Sequence, residues 1–343
     1  MCILGSIVDN PARDTSVAIV LLSRIAVLCR DDQDPPPGLQ SLPAEIVYTD
    51  AAGLPAAIRS AEALFLWDFF SPALRSAWPG AERLRWIHVA AAGVDAILFD
   101  ELVDSEVVVT NARGVFDQPI AEYVLAAILA HAKQLHRSRD LQRNHLWQHR
   151  ETRNLAGQQV LIIGTGGIGR ATARLLRAVG LQVRGAGRRA LSDDPDFGSV
   201  VPSTELAGQV AEVDHLVMAA PLTAQTSGMI NSEVLAALKP GAHLINIGRG
   251  QQVDEEALLN ALGSGRGLTA TLDVFADEPL PDDHPFWDRD DVIISPHLSG
   301  DTVGWRDRLA GQFVELASRW LDGKPLINIV DKQLGYSQRK EGW

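Results

Sequence analysis

The chain has 343 residues, 46% of them hydrophobic and 22% charged, with a mean hydropathy near zero; this excludes a disordered or fibrous chain and leaves room for two globular domains. Its 31 basic and 43 acidic residues give a net charge of −12, so neither nucleic acid nor an anionic membrane is an expected partner, and an anionic substrate requires a locally basic pocket. Two cysteines, Cys2 and Cys29, are too few for a disulfide framework and fit a reducing cytoplasm.

Residues 1–23 read as an ill-defined N-terminal extension. The apolar run Val17–Leu22 is closed by Arg24, well short of the roughly 18 residues that a membrane span needs. Asp9, Arg13 and Asp14 ahead of it do not fit a secretory leader. Ile25–Cys29 then reads as a buried strand and Asp31–Gly38, with three consecutive prolines, as the loop after it. Apolar runs at Ala63–Trp67, Trp86–Ala90 and Val107–Thr110 alternate with polar or helical stretches, the rhythm of an α/β layer. Trp67, Phe69 and Phe70 stand at the end of the first of these runs and are candidates for either core or pocket lining.

Residues 119–139 predict one long helix with Pro119 near its start. His145 and His149 have the i, i+4 spacing that could place two imidazoles on one helix face, but no third ligand stands nearby and no metal site is expected. A second strand–helix series opens at Gln158 and continues through Val183, Leu216–Ala219, Leu244–Ile247, Thr269–Asp273 and Val292–Ser295. Such repeats predict a parallel, doubly wound sheet. The expected fold class is therefore α/β, with two Rossmann-like domains and an active site in the cleft between them. Residues 24–118 with 300–335 would form the substrate-binding domain and 119–299 the dinucleotide-binding domain. A final helix from Val303 to Leu321 would return the chain to the first domain, and the last dozen residues read as a polar tail.

Between an apolar strand and a helix, Gly164-Thr165-Gly166-Gly167-Ile168-Gly169 supplies G-x-G-x-x-G. The first glycine permits a tight turn, the second lets backbone approach a pyrophosphate, and the third allows helix and strand to pack closely. About 20 residues on, where NAD-preferring enzymes place an acid for the ribose hydroxyls, the chain reads Gly187-Arg188-Arg189. The missing acid removes repulsion from a 2′-phosphate and the arginines offer donors to it, so NADP(H) is the favoured cofactor and NAD(H) the alternative.

Arg249, Glu278 and His297 each follow a predicted strand of this second series, where open α/β sheets place their ligands. The surrounding segments Asn246–Gly250, Leu272–Leu280 and Ser295–Gly300, with Ala91–Asp95, Thr110–Gly114, Ala121–Tyr123 and Pro221–Thr223 upstream, resemble the D-2-hydroxyacid dehydrogenase family in order and content. That resemblance implies hydride transfer between a nicotinamide dinucleotide and a small 2-keto or 2-hydroxy acid. It implies that His297 is the acid/base, Glu278 its partner and Arg249 the substrate-holding group, with Ala92, Gly93 and Val94 on the other side of the substrate carboxylate. It also implies cofactor contacts from the glycine loop, Pro221, Thr226, Ile247, Gly248, Asp273, His297 and Gly300, although an aspartate at a strand end such as Asp273 equally caps the segment that follows. A homodimer through residues 119–150, including Trp147, is a further implication.

The chemistry asks for the same parts. Reduction of a keto acid delivers a proton to the carbonyl oxygen, which suits histidine, and a carboxylate beside the ring favours the imidazolium and fixes its tautomer. An arginine fork binds the carboxylate and polarises the keto oxygen. Two other readings share the sequence features. Formate oxidation on the same fold involves no such proton transfer and in that family uses glutamine where this chain has Glu278. A dinucleotide-sensing, corepressor-like binding protein also carries an Arg–Glu–His set.

Overall fold

Strands with apolar residues at every position bury both faces of a sheet, and Arg24–Leu28 (β1) begins one. Its Ile25 and Val27 point to one side and Ala26 and Leu28 to the other, all fully buried. In this computed structural model, which describes residues 23–30, 32 and 34–337, β1 is joined by Glu45–Thr49 (β2), Ala63–Leu66 (β3), Trp86–Val89 (β4) and Val108–Asn111 (β5). All pair in parallel, in the order β2-β1-β3-β4-β5, one of the two common doubly wound arrangements. Short helices Leu54–Ala57 (α1), Ala73–Ala77 (α2) and Asp100–Val103 (α3) cover one face through Leu54, Leu74 and Leu102. Strand β2 was not anticipated, and the N-terminal extension through residue 22 lies outside the described residues.

The long helix expected at 119–139 is two: Asp117–Ala132 (α4) and Leu135–Arg143 (α5). Gln134 breaks it with φ +51°, and Arg150 holds the break, donating to the Gln134 side-chain oxygen at 2.8 Å and to its carbonyl at 2.9 Å. His145 and His149 lie beyond α5 in non-helical chain, so the i, i+4 helix geometry considered for them does not exist.

The second sheet comprises Gln159–Ile163 (β6), Gln182–Gly187 (β7), Leu191–Asp194 (β8), Gly198–Pro202 (β9), His215–Met218 (β10), His243–Asn246 (β11), Thr269–Leu272 (β12) and Val292–Ile294 (β13). Their order is β13-β12-β11-β10-β6-β7-β9-β8, parallel except for β8 against β9. Helix Gly167–Ala178 (α6) follows β6, and Ser232–Ala237 (α7) and Glu255–Leu262 (α8) bury Leu235 and Leu258 against the sheet core. The strand order reverses between β6 and β10, so the loops after those two strands flank the crevice where doubly wound sheets bind ligands.

Helix Trp305–Leu321 (α9) returns to the first sheet, where Phe313 stacks on Phe65 at 3.9 Å and on Trp86 at 5.4 Å between ring centroids. Of the last dozen residues, expected to be a tail, 332–337 are tied to the first sheet and 338–343 lie outside the described residues. Ile329 bridges Thr110 antiparallel, the Val330 N–H donates to the Val109 carbonyl at 2.8 Å, and Lys332 donates to the Leu102 carbonyl at 2.9 Å. No helix among the described residues is long and apolar enough to cross a membrane.

Three histidines are buried, and a fourth, His131, is half-buried against two of them, away from the strand ends that carry the site. His215 and His243 open β10 and β11 with their Nδ1 atoms 3.3 Å apart, His131 of α4 stacks on His243 at 4.5 Å, and His88 lies inside the first sheet beside Thr110. Burial pushes His88 and His215 down to about 3; His131, Arg153 and Lys239 lower His215 further and Asp214 opposes them. Burial also lowers His131 and His243. The native state thus holds neutral rings that the unfolded chain protonates below about pH 6.5, so this stability is intact above that value and is lost as pH falls toward the depressed values. At pH 5, His88 and His215 each withdraw about 2 kcal/mol. We expect the melting temperature to fall by roughly 10 °C between pH 7 and pH 5; an unchanged melting curve over that range would contradict neutral burial.

Candidate active site

The glycine loop turns from β6 into α6. Gly164 has φ +111°, and a Cβ there would sit 2.6 Å from the Ala219–Ala220 peptide at the end of β10, so only glycine lets the two strand ends lie flush. Gly166 is the N-cap of α6, supplies no side-chain cap, and faces space with no atom within 4 Å of where a Cβ would be. The first-turn N–H groups of a 12-residue helix, with no capping side chain over them, fit the pyrophosphate of a dinucleotide. Gly187 ends β7 beside Thr165, and Arg188 and Arg189 follow it, both exposed. Across the crevice, Thr226 shapes the loop after β10, accepting from the Thr223 N–H at 2.8 Å and donating to the Pro221 carbonyl at 2.7 Å.

Asp273, directly after β12, is 0% exposed. Its carboxylate accepts from the Leu298 and Ser299 N–H groups at 2.9 Å each and from the Ser295 hydroxyl at 2.5 Å, and its carbonyl accepts the His297 N–H at 2.8 Å. Because Ser295 donates to this carboxylate, Tyr123 of α4 donates to Ser295 at 2.5 Å; burial pushes the tyrosine hydroxyl up to about 12 and keeps that proton in place. These bonds show Asp273 capping the segment that follows it. The clamp holds His297 at φ +52°, a left-handed conformation that costs a non-glycine residue on the order of 1 kcal/mol or more.

His297 Nδ1 lies 2.8 Å from Glu278 Oε2, and the other carboxylate oxygen accepts the Phe275 N–H at 3.0 Å. Burial works to raise Glu278, but the bonds from His297 and Phe275 and the charges of His297 and Arg249 outweigh it and hold the carboxyl below its ordinary value. Glu278 therefore stays ionised beside the ring.

Arg249 follows β11 on a loop that must be glycine at Gly250, where a Cβ would fall 1.7 Å from the Phe275 carbonyl carbon. Gln252, fully buried, accepts the Arg249 N–H at 2.8 Å. The guanidinium reaches the first sheet: Nε and Nη2 each lie 3.1 Å from one oxygen of Asp95, and Nη2 lies 2.0 Å from the Cβ that Gly93 lacks. Ala92, Gly93 and Val94 thus border Arg249, with Ala92 held by Asn111, whose amide donates to its carbonyl at 2.5 Å. Ile247 and Gly248 are buried at the base of the Arg249 loop, and Gly300 packs on Phe116.

Phe70, 57% exposed, lies edge-to-face with His297 at 5.6 Å between centroids, whereas Trp67 is core and donates to the Asp34 carbonyl. Sequence reasoning left Phe70 undecided and gave no part to Asp95, Gln252 or Asn111. Only the motif Ala91–Asp95 hinted at Asp95, whose partner is 154 residues away.

A Rossmann-type sheet with an open glycine cradle, and with Arg, Glu and His brought to successive strand ends beside it, is the frame of a nicotinamide-dependent oxidoreductase. The NAD-binding domain of D-isomer specific 2-hydroxyacid dehydrogenases matches residues 125–299, and the chain belongs to that family. It is 32% identical over 265 residues to a glyoxylate/hydroxypyruvate reductase A of Serratia proteamaculans, covering 74% of this chain and 82% of that protein. Among solved structures, a D-isomer specific 2-hydroxyacid dehydrogenase of Xanthobacter autotrophicus in complex with NADPH and MES superposes with TM-score 0.77 at 31% identity, covering 92% of this chain and 100% of the other. An NADPH-dependent glyoxylate/hydroxypyruvate reductase of Sinorhizobium meliloti, in complex with NADP and sulfate, gives 0.76 at 27% identity over 92% and 100%.

The Arg249 and Glu278 loops meet at Gly250. Gly250→Ala should destabilise the protein by about 3 kcal/mol or more, because the methyl group is driven into backbone and not into a yielding side chain. Denaturant titration reads this directly, and a midpoint equal to that of the parent would refute the close approach.

Proposed function

We propose that the protein reduces a small 2-keto acid to the D-2-hydroxy acid with NADPH favoured over NADH, using His297 as the proton donor, Glu278 as its partner and Arg249 as the substrate clamp. The observation that carries this reading is the Glu278–His297 pair at 2.8 Å. It commits Nδ1 to the carboxylate and leaves Nε2 as the nitrogen to meet a substrate oxygen. The reduced dinucleotide, when bound, supplies the hydride. The chain's own task is to hold the keto acid, protonate its oxygen and exclude water. Arg249 binds the carboxylate through its fork and polarises the keto oxygen, and backbone amides near Ala92–Val94 take the carboxylate's other side. Phe70 beside His297 narrows the seat, which favours small keto acids such as glyoxylate and hydroxypyruvate, the compounds named for the relatives.

The Gly187 terminus of β7, with Arg188 and Arg189 after it, supports the cofactor preference, as do relatives solved with NADPH or NADP. Reductase-named relatives favour catalysis over dinucleotide sensing alone, and Glu278 stands against formate oxidation. The reading assigns residues 24–118 with 300–335 to the substrate and 119–299 to the dinucleotide, with closure between them drying the site. It places the protein in the cytoplasm as a homodimer. The exposed side chains Leu129, Leu135, Leu146 and Trp147, on and just beyond α4 and α5, supply an apolar surface for that pairing.

Loss of reduced-nicotinamide absorbance with glyoxylate or hydroxypyruvate should be faster with NADPH than with NADH; the reverse order would remove the cofactor preference. His297→Ala should lower kcat by on the order of 10²–10⁴, and unchanged turnover would remove the acid/base assignment. Arg249→Lys keeps the charge but loses the fork, and should raise KM for the keto acid on the order of 10-fold or more. Light scattering should give twice the 37.1 kDa chain mass, and Trp147→Asp should shift it toward the monomer; a monomeric parent would contradict the dimer.

A further inference from the structure

The last described turn of the chain ends on the cofactor side of the molecule. Residues 328–331 run along the edge of β5, with the Asn111 N–H donating to the Asn328 carbonyl at 3.3 Å and the Val330 N–H to the Val109 carbonyl at 2.8 Å. The chain then turns about Asp331, whose carboxylate accepts from the Gln333 and Leu334 N–H groups at 3.1 Å each and whose N–H donates to the Tyr336 carbonyl at 3.1 Å. Ser337 closes the turn by donating to the Asn111 side-chain oxygen at 3.1 Å. The loop is thus pinned to the first sheet on both sides of Tyr336.

From that anchorage Tyr336 presents its ring to the other sheet. The guanidinium carbon of Arg188, the residue directly after β7, stands 5.1 Å from the ring centroid. Tyr336 is half-buried, whereas Arg188 and Arg189 are both exposed. A guanidinium held over an aromatic face by cation–π attraction does not spend its five N–H donors on that contact. Uncommitted donors are what a phosphate needs. An exposed arginine without such a platform spreads over many rotamers, and ordering them is an entropic cost of binding.

We propose that Tyr336 is a positioning residue for cofactor selection: it holds Arg188 with its donors free for the 2′-phosphate of NADPH, and so joins the C-terminal turn on the first sheet to cofactor discrimination on the second. The proposal rests on the NADPH reading above. Tyr336 acts through Arg188 and needs only its ring.

The test is calorimetric titration of NADPH, NADH and adenosine 2′-phosphate into Tyr336→Ala, Tyr336→Phe, Arg188→Ala and the Arg188→Ala/Tyr336→Ala double variant, with kcat and KM alongside and thermal melting to verify folding. An exposed cation–π contact corresponds to a change in affinity of about 2–5-fold. Tyr336→Ala should therefore weaken NADPH and adenosine 2′-phosphate by that factor, leave NADH and kcat unchanged, and add nothing in the Arg188→Ala background. Tyr336→Phe should bind like the parent. Equal weakening of NADPH and NADH, or a full Tyr336→Ala effect in the absence of Arg188, would overturn the proposal in favour of a structural role. If Arg188→Ala loses NADPH affinity while Tyr336→Ala does not, the stacking role fails and the NADPH reading stands; if Arg188→Ala leaves NADPH affinity untouched, the proposal fails, and the NADPH reading fails with it only where the parent binds NADH as tightly as NADPH.

Discussion

One buried carboxylate organises the site. Asp273 is sealed from solvent with no cationic partner among the described residues, and its oxygens are satisfied by two backbone N–H groups and a serine hydroxyl. Those bonds fold Ser295–Ser299 back over the end of β12 and force His297 into a backbone conformation that it would not adopt alone. Glu278 then meets a ring whose direction is already fixed. The strain at His297 and the burial of Asp273 are two sides of one arrangement, in which loop geometry is set by hydrogen bonds and not by apolar packing.

The parts of the fold legible in the sequence are those where a short stretch carries its own reason. The apolar strands of both sheets, the glycine turn and the order of Arg249, Glu278 and His297 all belong to this kind. Strands β8 and β9 escaped notice because Leu191–Asp194 has no apolar alternation; an ion pair between Arg170 and Asp194 at 2.8 Å ties the end of β8 to α6. The break at Gln134 was equally hidden. Lys133 and Gln134 are ordinary helix formers, and what stops the helix is Arg150, sixteen residues further on. Asp95 and Tyr336 belong to the same class: each gains its meaning from an arginine on the other sheet.

The two sheets contribute unequally to the candidate site. The second brings the glycine cradle and the three residues at strand ends, all on loops fixed by short-range bonds or by backbone against backbone, as at Gly250. The first brings neighbours: Gly93 and Asp95 beside Arg249, Phe70 beside His297, and the pinned C-terminal turn beside Arg188. On the proposed reading, chemistry on one sheet and fit on the other is a division that would let specificity vary while the reacting groups stay put.

The Asp95–Arg249 pair gives the proposed substrate seat an unusual starting condition. With both oxygens of Asp95 3.1 Å from guanidinium nitrogens, the seat already holds a carboxylate of the protein's own. On the proposed reading, an arriving keto acid would not fall onto a bare cation; it would either share the fork with that internal anion or take its place. A seat built this way would be poorly baited for chloride or stray phosphate, despite its arginine. It would choose among anions by shape and by the ability to reach the histidine, so charge alone would favour an incoming molecule little.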